Sequence, residues 1–316
     1  RDLQAYHLFL QGRQCLSKWT SNAVDGAVDC FERAIARDPS FALAYANLAM
    51  AHIESAESGA RPPDVAYARA DATVRVALRL DPELSAAHCT LGYMKTVREL
   101  DWAGAEEEFK RALELSPSNA DALDLYGRLC SALGRHDEAI ALVERARELD
   151  PLAHRMDVAT VLLRAGRYDD AVVLARNAVE LDPVHDRAVA TLGWAYLLSG
   201  RKDDGLAQLE HAVSLSPGNT MWMGQLGAAY GLAGKPAKAK NILRDIEARS
   251  KSAYVSPYHF AYAHMGVGNS ERALDFLERA VSERGGATYG IKSSFLFVPL
   301  RAHPRFRSLI RTMKLE

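Results

Sequence analysis

The chain has 316 residues, of which 48% are hydrophobic and 25% are charged, a composition typical of a folded globular protein. Its formal net charge of −1 gives no overall field that would attract nucleic acid or an anionic membrane. No apolar run approaches the roughly 18 residues needed to cross a bilayer, and no signal peptide is recognisable. The first residue is arginine, which suggests a piece of a longer protein.

The four cysteines lie inside helical patterns, and none forms a Cys-x-x-Cys pair. We expect them to be small buried hydrophobic residues in a reducing, cytoplasmic setting, with a disulfide or a metal site as the alternative. They are Cys15, Cys30, Cys89 and Cys130.

Proline marks the chain at regular intervals. Asp-Pro or Ser-Pro pairs recur at steps of 43, 35, 34, 32 and 34 residues, and an alanine stands five residues before each proline. Asp or Ser before proline disfavours the helical conformation and predicts a helix end, while the proline predicts the start of the next helix. The prolines are Pro39, Pro82, Pro117, Pro151, Pro183 and Pro217.

These signals predict an all-α fold, a right-handed solenoid of about eight antiparallel helix pairs over residues 1–284. Residues 285–316 are predicted to form an irregular segment and a capping helix, 304–314, that closes the last hydrophobic face. The predicted pairs are 2–17 with 23–37, 40–56 with 63–80, 83–97 with 102–115, 118–133 with 136–149, 152–165 with 168–181, 184–199 with 202–215, 218–233 with 236–250, and 256–267 with 270–284.

The pattern resembles the tetratricopeptide repeat, a 34-residue helix–turn–helix. Small residues twelve before and ten after the prolines, and glycines at 134, 166 and 200, agree with that repeat over nearly the whole chain. The best single match runs from Leu192-Gly193-Trp194-Ala195-Tyr196 through Gly200 to Pro217. The resemblance implies a scaffold that binds a protein or peptide partner.

Four segments resemble more narrowly the C-terminal repeat region of multidomain bacterial signalling and transcriptional regulators. They begin at Ala5, Asp101, Tyr254 and Val298. In that group a DNA-binding domain, an adenylate cyclase or a Ser/Thr kinase precedes the repeats. The resemblance implies a sensory or docking part of such a regulator, or alternatively the accessory domain of an enzyme whose catalytic domain lies upstream.

Catalytic and cofactor motifs are missing from the sequence: there is no phosphate-binding Gly-x-x-x-x-Gly-Lys-Ser/Thr, no His-Glu-x-x-His and no Gly-x-Ser-x-Gly. We therefore expect no enzyme activity, no cofactor and no metal. The cationic tail, with Arg301, Arg305, Arg307, Arg311 and Lys314, is interpreted as a solvated face, with a nucleic-acid contact as the alternative. No nucleic-acid or membrane partner is expected, and a homo-oligomer is possible.

Two irregular stretches stand out. Residues 54–64, with Gly59 and Pro62-Pro63, lengthen their unit to 43 residues and are interpreted as a surface loop or, alternatively, a contact for another domain. Residues 284–294 break the helical pattern before the final helix.

In tetratricopeptide arrays the first helix of each pair lines the concave surface. Carried over by position, the resemblance implies a groove with two apolar stretches around a charged centre. We hypothesise that a partner segment places apolar anchors against Met50, Tyr93 and Trp194, although the two aromatic side chains could instead pack between helices. The chaperone-docking pattern of paired Lys and Asn is missing, which argues against that partner class. The predicted groove residues are Met50, Tyr93, Asp121, Asp124, Arg128, Arg164, Arg187, Trp194 and Met221.

Overall fold

The computed structural model describes residues 2–16, 21–58, 61–151, 154–285 and 287–316. Within these residues there are seventeen α-helices and no strand, so the prediction of eight helix pairs and a final helix is confirmed. The pairs are α1 (Leu3–Leu16) with α2 (Ser21–Arg37), α3 (Ala42–Glu57) with α4 (Pro63–Leu80), α5 (Ser85–Met94) with α6 (Trp102–Leu115), α7 (Ala120–Leu133) with α8 (His136–Leu149), α9 (Arg155–Arg164) with α10 (Tyr168–Leu181), α11 (Asp186–Leu198) with α12 (Lys202–Leu215), α13 (Thr220–Leu232) with α14 (Pro236–Arg249), and α15 (Pro257–Gly266) with α16 (Ser270–Glu283), followed by α17 (Pro304–Thr312).

The Asp-Pro and Ser-Pro pairs end the second helices as predicted. In the turn after α6, for example, Ser116 is extended, with φ −146° and ψ 94°, and its amide donates to the carbonyl of Ala112. The same bond joins Asp81 to Ala77 and Asp182 to Ala178. The alanine five residues before each proline therefore supplies the carbonyl that closes the helix.

The prediction that these prolines open the next helix is wrong by about two residues. After Pro117 the helix begins only at Ala120, because Asn119 stays extended and its side chain accepts from the amide of Ala122. Capping by a polar side chain satisfies an amide that the proline alone would leave without a partner.

The unit after Pro82 departs from its predicted single helix. Helix α5 ends at Met94, and residues Lys95–Glu99 continue as a π-helix. Leu100 then lies in the left-handed region, with φ 54°, at the position where Gly134 and Gly200 stand in other units. Because leucine replaces glycine there, the turn is made with one wider helical turn and a strained residue.

The predicted 54–64 loop is shorter than expected, since α3 continues to Glu57 and places Glu54 and Glu57 on the inner side of the array. Gly59 lies outside the described residues. Arg61 closes the turn against α2 through an ion pair with Asp25, with 2.5 Å between the guanidinium and the carboxylate.

Residues 287–316 do more than cover the last pair, because they fold back along the inside of the array. Two short 3-10 helices, Thr288–Gly290 and Phe295–Leu300, precede α17. The Tyr289 ring lies 6.3 Å from that of Tyr93, and the Phe295 ring lies 5.1 Å from that of Trp194. Trp102 of α6 donates its indole N–H to the carbonyl of Met313, 2.9 Å away.

The array is tightest where α13 crosses α15. A Cβ atom added at Gly266 would lie 2.0 Å from the carbonyl oxygen of Gly227, a contact with backbone that cannot move aside. At Gly26 in α2 the nearest atom to an added Cβ is the Cys15 sulfur, at an ordinary 3.6 Å.

We expect Gly266→Ala to lower the free energy of unfolding by about 2 kcal/mol or more, because the two helices must separate. Gly26→Ala, the matched control, should raise it by about 0.5–1 kcal/mol through helix propensity. Urea denaturation followed by circular dichroism measures both values. Equal effects of the two substitutions would contradict the close crossing.

Candidate functional site

The inner face of the first six helix pairs encloses a pocket of about 910 Å³. Its walls come from the first helices of the pairs, α1, α3, α5, α7, α9 and α11, together with the loops that lead into them. Apolar side chains at the rim include Leu10, which is 45% exposed, and Val184, which is 72% exposed. Exposed apolar groups beside an enclosed charged floor are typical of a surface that receives another molecule.

The floor of the pocket is an ion network that joins three helices. Asp157 of α9 accepts from Arg128 of α7 at 2.9 Å and also from Arg187 of α11. Arg128 reaches Asp124, one helical turn earlier on α7, at 2.8 Å. The two carboxylates are 2–3% exposed, so each guanidinium compensates a charge that is almost fully removed from water.

His154 links the network to the rim. Its ring nitrogens lie 3.3 Å from an oxygen of Asp121 and 3.3 Å from an oxygen of Asp157. Burial disfavours the protonated imidazole, but the nearby carboxylates of Asp121, Asp157 and Asp124 outweigh burial and raise the pKa of His154 to about 10. His154 is therefore a cation at neutral pH.

The carboxylates of the floor are not equivalent. Burial alone would raise the pKa of Asp157, but Arg187 and Arg128 hold it well below its ordinary value. Burial dominates at Asp124 and raises its pKa to about 6, against the opposing effect of Arg128. The network therefore keeps Asp157 as an anion and leaves Asp124 easier to protonate.

Two glutamates of α3 lie beside this network. Burial raises the pKa of Glu54 to about 8 and that of Glu57 to about 7. The Tyr93 hydroxyl donates to one oxygen of Glu57. Among the described residues, the second oxygen of Glu57, one oxygen of Glu54 and one oxygen of Asp124 are enclosed without a hydrogen-bond partner.

Three side chains of the floor are close enough to hold a metal ion, since donor atoms of Asp124, His154 and Asp157 lie within 4.8 Å of one another. The guanidinium groups of Arg128 and Arg187 already occupy oxygens of these carboxylates. A divalent cation would have to displace them against their own positive charge. The donor set therefore suits an internal ion network better than a metal, and the expectation of no metal stays a prediction.

The structure brings six of the nine predicted groove residues together in this pocket. The other three lie elsewhere: Arg164 is 6.0 Å from the Tyr289 ring, Trp194 packs on Phe295, and Met221 is partly buried against the core. The indole N–H of Trp194 donates to Gln225 at 2.7 Å. The six are Met50, Tyr93, Asp121, Asp124, Arg128 and Arg187.

Tyr93 and Trp194 are each 2% exposed, and the chain's own Tyr289 and Phe295 rest against them. The anchoring of a partner on these two side chains therefore stays a prediction, and in this structure the C-terminal segment holds those positions. Met50 of α3 is half-buried and faces the pocket, so its side chain can still make an apolar contact with a partner segment.

Sequence reasoning missed His154, Asp157 and Glu57. The unit that follows Pro151 is two residues short, and aligning it from Gly166 gives groove positions 160, 163 and 164, which leaves out residues 154 and 157. Asp157 could have been found by charge, because it stands 33 residues after Asp124 and 30 before Arg187, close to one repeat in each direction.

The comparisons with known proteins agree with this architecture. The family model described as tetratricopeptide repeat matches residues 98–156 and 162–222, which supports the predicted repeat in those two stretches. Such arrays present extended concave surfaces for interaction. No curated protein sequence matches the chain. Among the described residues, no helix is long and apolar enough to cross a membrane.

Several solved structures resemble the chain in fold. A chain of the APC/C hetero-tetramer Cut9–Hcn1 matches with a TM-score of 0.63 and 13% identity, over 97% of this chain and 55% of that one. The human IFIT1 dimer with PPP-AAAA matches with a TM-score of 0.57 and 16% identity, over 83% and 69%. Yeast Tom70 matches with a TM-score of 0.51 and 16% identity, over 98% and 68%. At these identities the likeness establishes the helical-repeat fold alone.

The shifted glutamates predict how stability depends on pH. Because the pKa of Glu57 rises from 4.5 to about 7 on folding, the folded protein keeps a proton that the unfolded chain gives up. The contribution of Glu57 to the free energy of unfolding is therefore fully present below pH 4.5 and is lost as the pH rises to about 7. The groups facing Glu57 are Tyr93, Arg128, Arg164 and Arg187.

We expect Glu57→Gln to reduce the fall in unfolding free energy between pH 5 and pH 6.5 by about 1 kcal/mol per pH unit. Glu148→Gln, at an exposed position of α8, is the control and should leave the slope unchanged. Urea denaturation at several pH values measures the slopes. Parallel profiles for the parent and Glu57→Gln would contradict the raised pKa.

Proposed function

We propose that this chain is a protein-interaction scaffold that binds a segment of a partner protein in the 910 Å³ pocket between its first six helix pairs. The observation that carries the proposal is the contrast between the two halves of the inner surface. The rear half, around Trp194, Tyr258 and Tyr262, is covered by the chain's own residues 287–300. The front half is the open 910 Å³ pocket, with exposed apolar side chains at its rim.

The C-terminal segment indicates what kind of ligand this inner surface accepts. It runs along the first helices as a peptide would, placing Tyr289, Phe295 and Phe297 against aromatic side chains. Phe297 is fully buried between Tyr258 and Tyr262. A partner segment with apolar side chains at a similar spacing would use the front half in the same way.

The pocket floor adds a charge requirement to this apolar binding. Among the described residues, Glu54 and Asp124 line the pocket and each keeps an enclosed oxygen without a hydrogen-bond partner. The guanidinium groups of Arg128 and Arg187 are already bound to Asp157. A hydrogen-bond donor from the partner would satisfy these oxygens. We therefore infer a segment that combines an apolar anchor over Met50 with a lysine, an arginine or an amide directed at the floor.

The test places a photo-crosslinking amino acid at Met50, on the inner face, or at Val173, which is 57% exposed on the second helix α10. Partner captured from the source cells should crosslink at position 50 and not at position 173. Met50→Glu should then weaken binding of the identified partner by about tenfold or more, since a charge replaces an apolar contact at the pocket wall. Helicity should not change, because Met50 is only partly buried. Crosslinking at position 173 alone would refute the inner-surface proposal.

We also propose that the partner interaction serves a larger bacterial regulator. The support is the resemblance of the segments beginning at Ala5, Asp101, Tyr254 and Val298 to the repeat region of such proteins. The alternative is the accessory domain of an adenylate cyclase or a Ser/Thr kinase. The coding sequence upstream of Arg1 decides between them. A DNA-binding domain there supports the regulator, and a cyclase or kinase domain supports the alternative. If none of these domains is encoded there, both proposals are refuted.

A further inference from the structure

A second pocket, of about 500 Å³, opens where four elements meet. These are the turn between α7 and α8, helix α9, the residues between the two 3-10 helices, and α17. Ala132, Phe306 and Ile310 provide its apolar part. The pocket exists only because residues 287–316 fold back onto the middle of the array.

Most of the polar groups in this pocket are cationic. The lining contains Glu316 as its single carboxylate side chain among the described residues. Within those residues, no carboxylate lies within 4 Å of Arg164, Lys292 or Arg301, and Arg307 donates to the carbonyl of Ala302. The lining cations are Arg164, Lys292, Arg301, Arg307 and Arg311, with His136 beside them.

Arg305, which lies on α17 together with Arg307 and Arg311, shows that acidic side chains are available near this helix. Arg305 contacts the carboxylates of Glu271, Asp275 and Glu278 on α16 at 2.7–2.8 Å. Arg311, by comparison, reaches Glu316 only at 3.8 Å, and both side chains are about two-thirds exposed. Among the described residues, the five lysine and arginine side chains of the pocket lining therefore have Glu316 as their single carboxylate, in a protein whose net charge is −1.

The positive charge of the pocket acts on His136, whose Nδ1 atom is enclosed and has no hydrogen-bond partner within the described part of the chain. Its pKa is lowered first by burial and then by the positive charges of Arg164 and Arg301, against the opposing effect of Asp137 on its own helix. A bound anion would supply the missing charge and a possible acceptor.

We propose that this basic pocket binds a phosphoryl group. Guanidinium groups match the oxygens of phosphate with paired hydrogen bonds, and cations that converge from separate elements suit a tetrahedral dianion better than a planar monoanion. The inference does not depend on the partner segment proposed for the 910 Å³ pocket, and the two can fail separately.

The experiment titrates the full chain with inorganic phosphate at low ionic strength and measures heat of binding. Arg301→Gln and Lys292→Gln should each weaken binding about tenfold, the loss expected for one charged hydrogen bond. Arg33→Gln and Lys240→Gln remove the same charges at remote exposed positions and should leave affinity unchanged. Glu316→Gln should strengthen binding, since it removes the competing carboxylate.

The imidazole of His136, followed by proton NMR, gives a second readout. Saturating phosphate should raise its pKa, while the same concentration of acetate should not. Equal weakening by the pocket variants and the remote variants would overturn the proposal, and so would a His136 pKa that does not respond to phosphate.

Two sources of the phosphoryl group are distinguished by one further titration. A short phosphoserine peptide of otherwise uncharged sequence should bind more tightly than inorganic phosphate if the group belongs to a protein, because Phe306 and Ile310 add apolar contact. Affinity no higher than that of inorganic phosphate assigns the pocket to a small phosphorylated molecule. Failure of both ligands to bind refutes the phosphoryl site.

Discussion

Each helix pair has apolar faces that it cannot bury by itself, and this constraint determines the rest of the structure. Stacking covers the faces between neighbouring pairs. The inner face remains, and the chain treats its two halves differently: aromatic side chains of residues 287–300 cover the rear half, and an ion network forms the floor of the front half. The open pocket is the part of the inner surface that neither residues 287–300 nor the side chains of the ion network fill.

The ion network also fixes the relative positions of three helices. Asp157 receives guanidinium groups from the units before and after its own, so this one carboxylate joins α7, α9 and α11. A buried charge that loses its partner costs about 3–5 kcal/mol, because it is left uncompensated away from water. Shape and charge state of the pocket are thus coupled, because the groups that define its floor also hold its walls in register.

The sequence predicts the second helices well and the site less well, for physical reasons. Helices α8, α10 and α12 begin and end at the predicted residues because the glycine turn and the Asp-Pro or Ser-Pro pair are local signals. Asp157 escaped prediction because its unit is two residues short and was aligned from Gly166, which gave groove positions 160, 163 and 164 and left out Asp157. The fold-back of the C-terminal segment could not be read from periodicity, since its contacts, such as Trp102 with Met313, span 211 residues.

A net charge of −1 conceals two regions of opposite character on this one chain. Counted over the residues that the structure describes, the front pocket has more carboxylates than cations in its lining, while the basic pocket near α17 has a single carboxylate against five lysine and arginine side chains. Arg164 stands between them: its charge acts on Glu57 of the front network, and its guanidinium also lines the basic pocket and faces the Tyr289 ring. An anion in the basic pocket would offset part of the positive field of Arg164 and thereby make Glu57 easier to protonate. Arg164 therefore lines the basic pocket while its charge reaches Glu57 beside the front pocket, and Tyr289 contacts both Arg164 and Tyr93, which lines the front pocket.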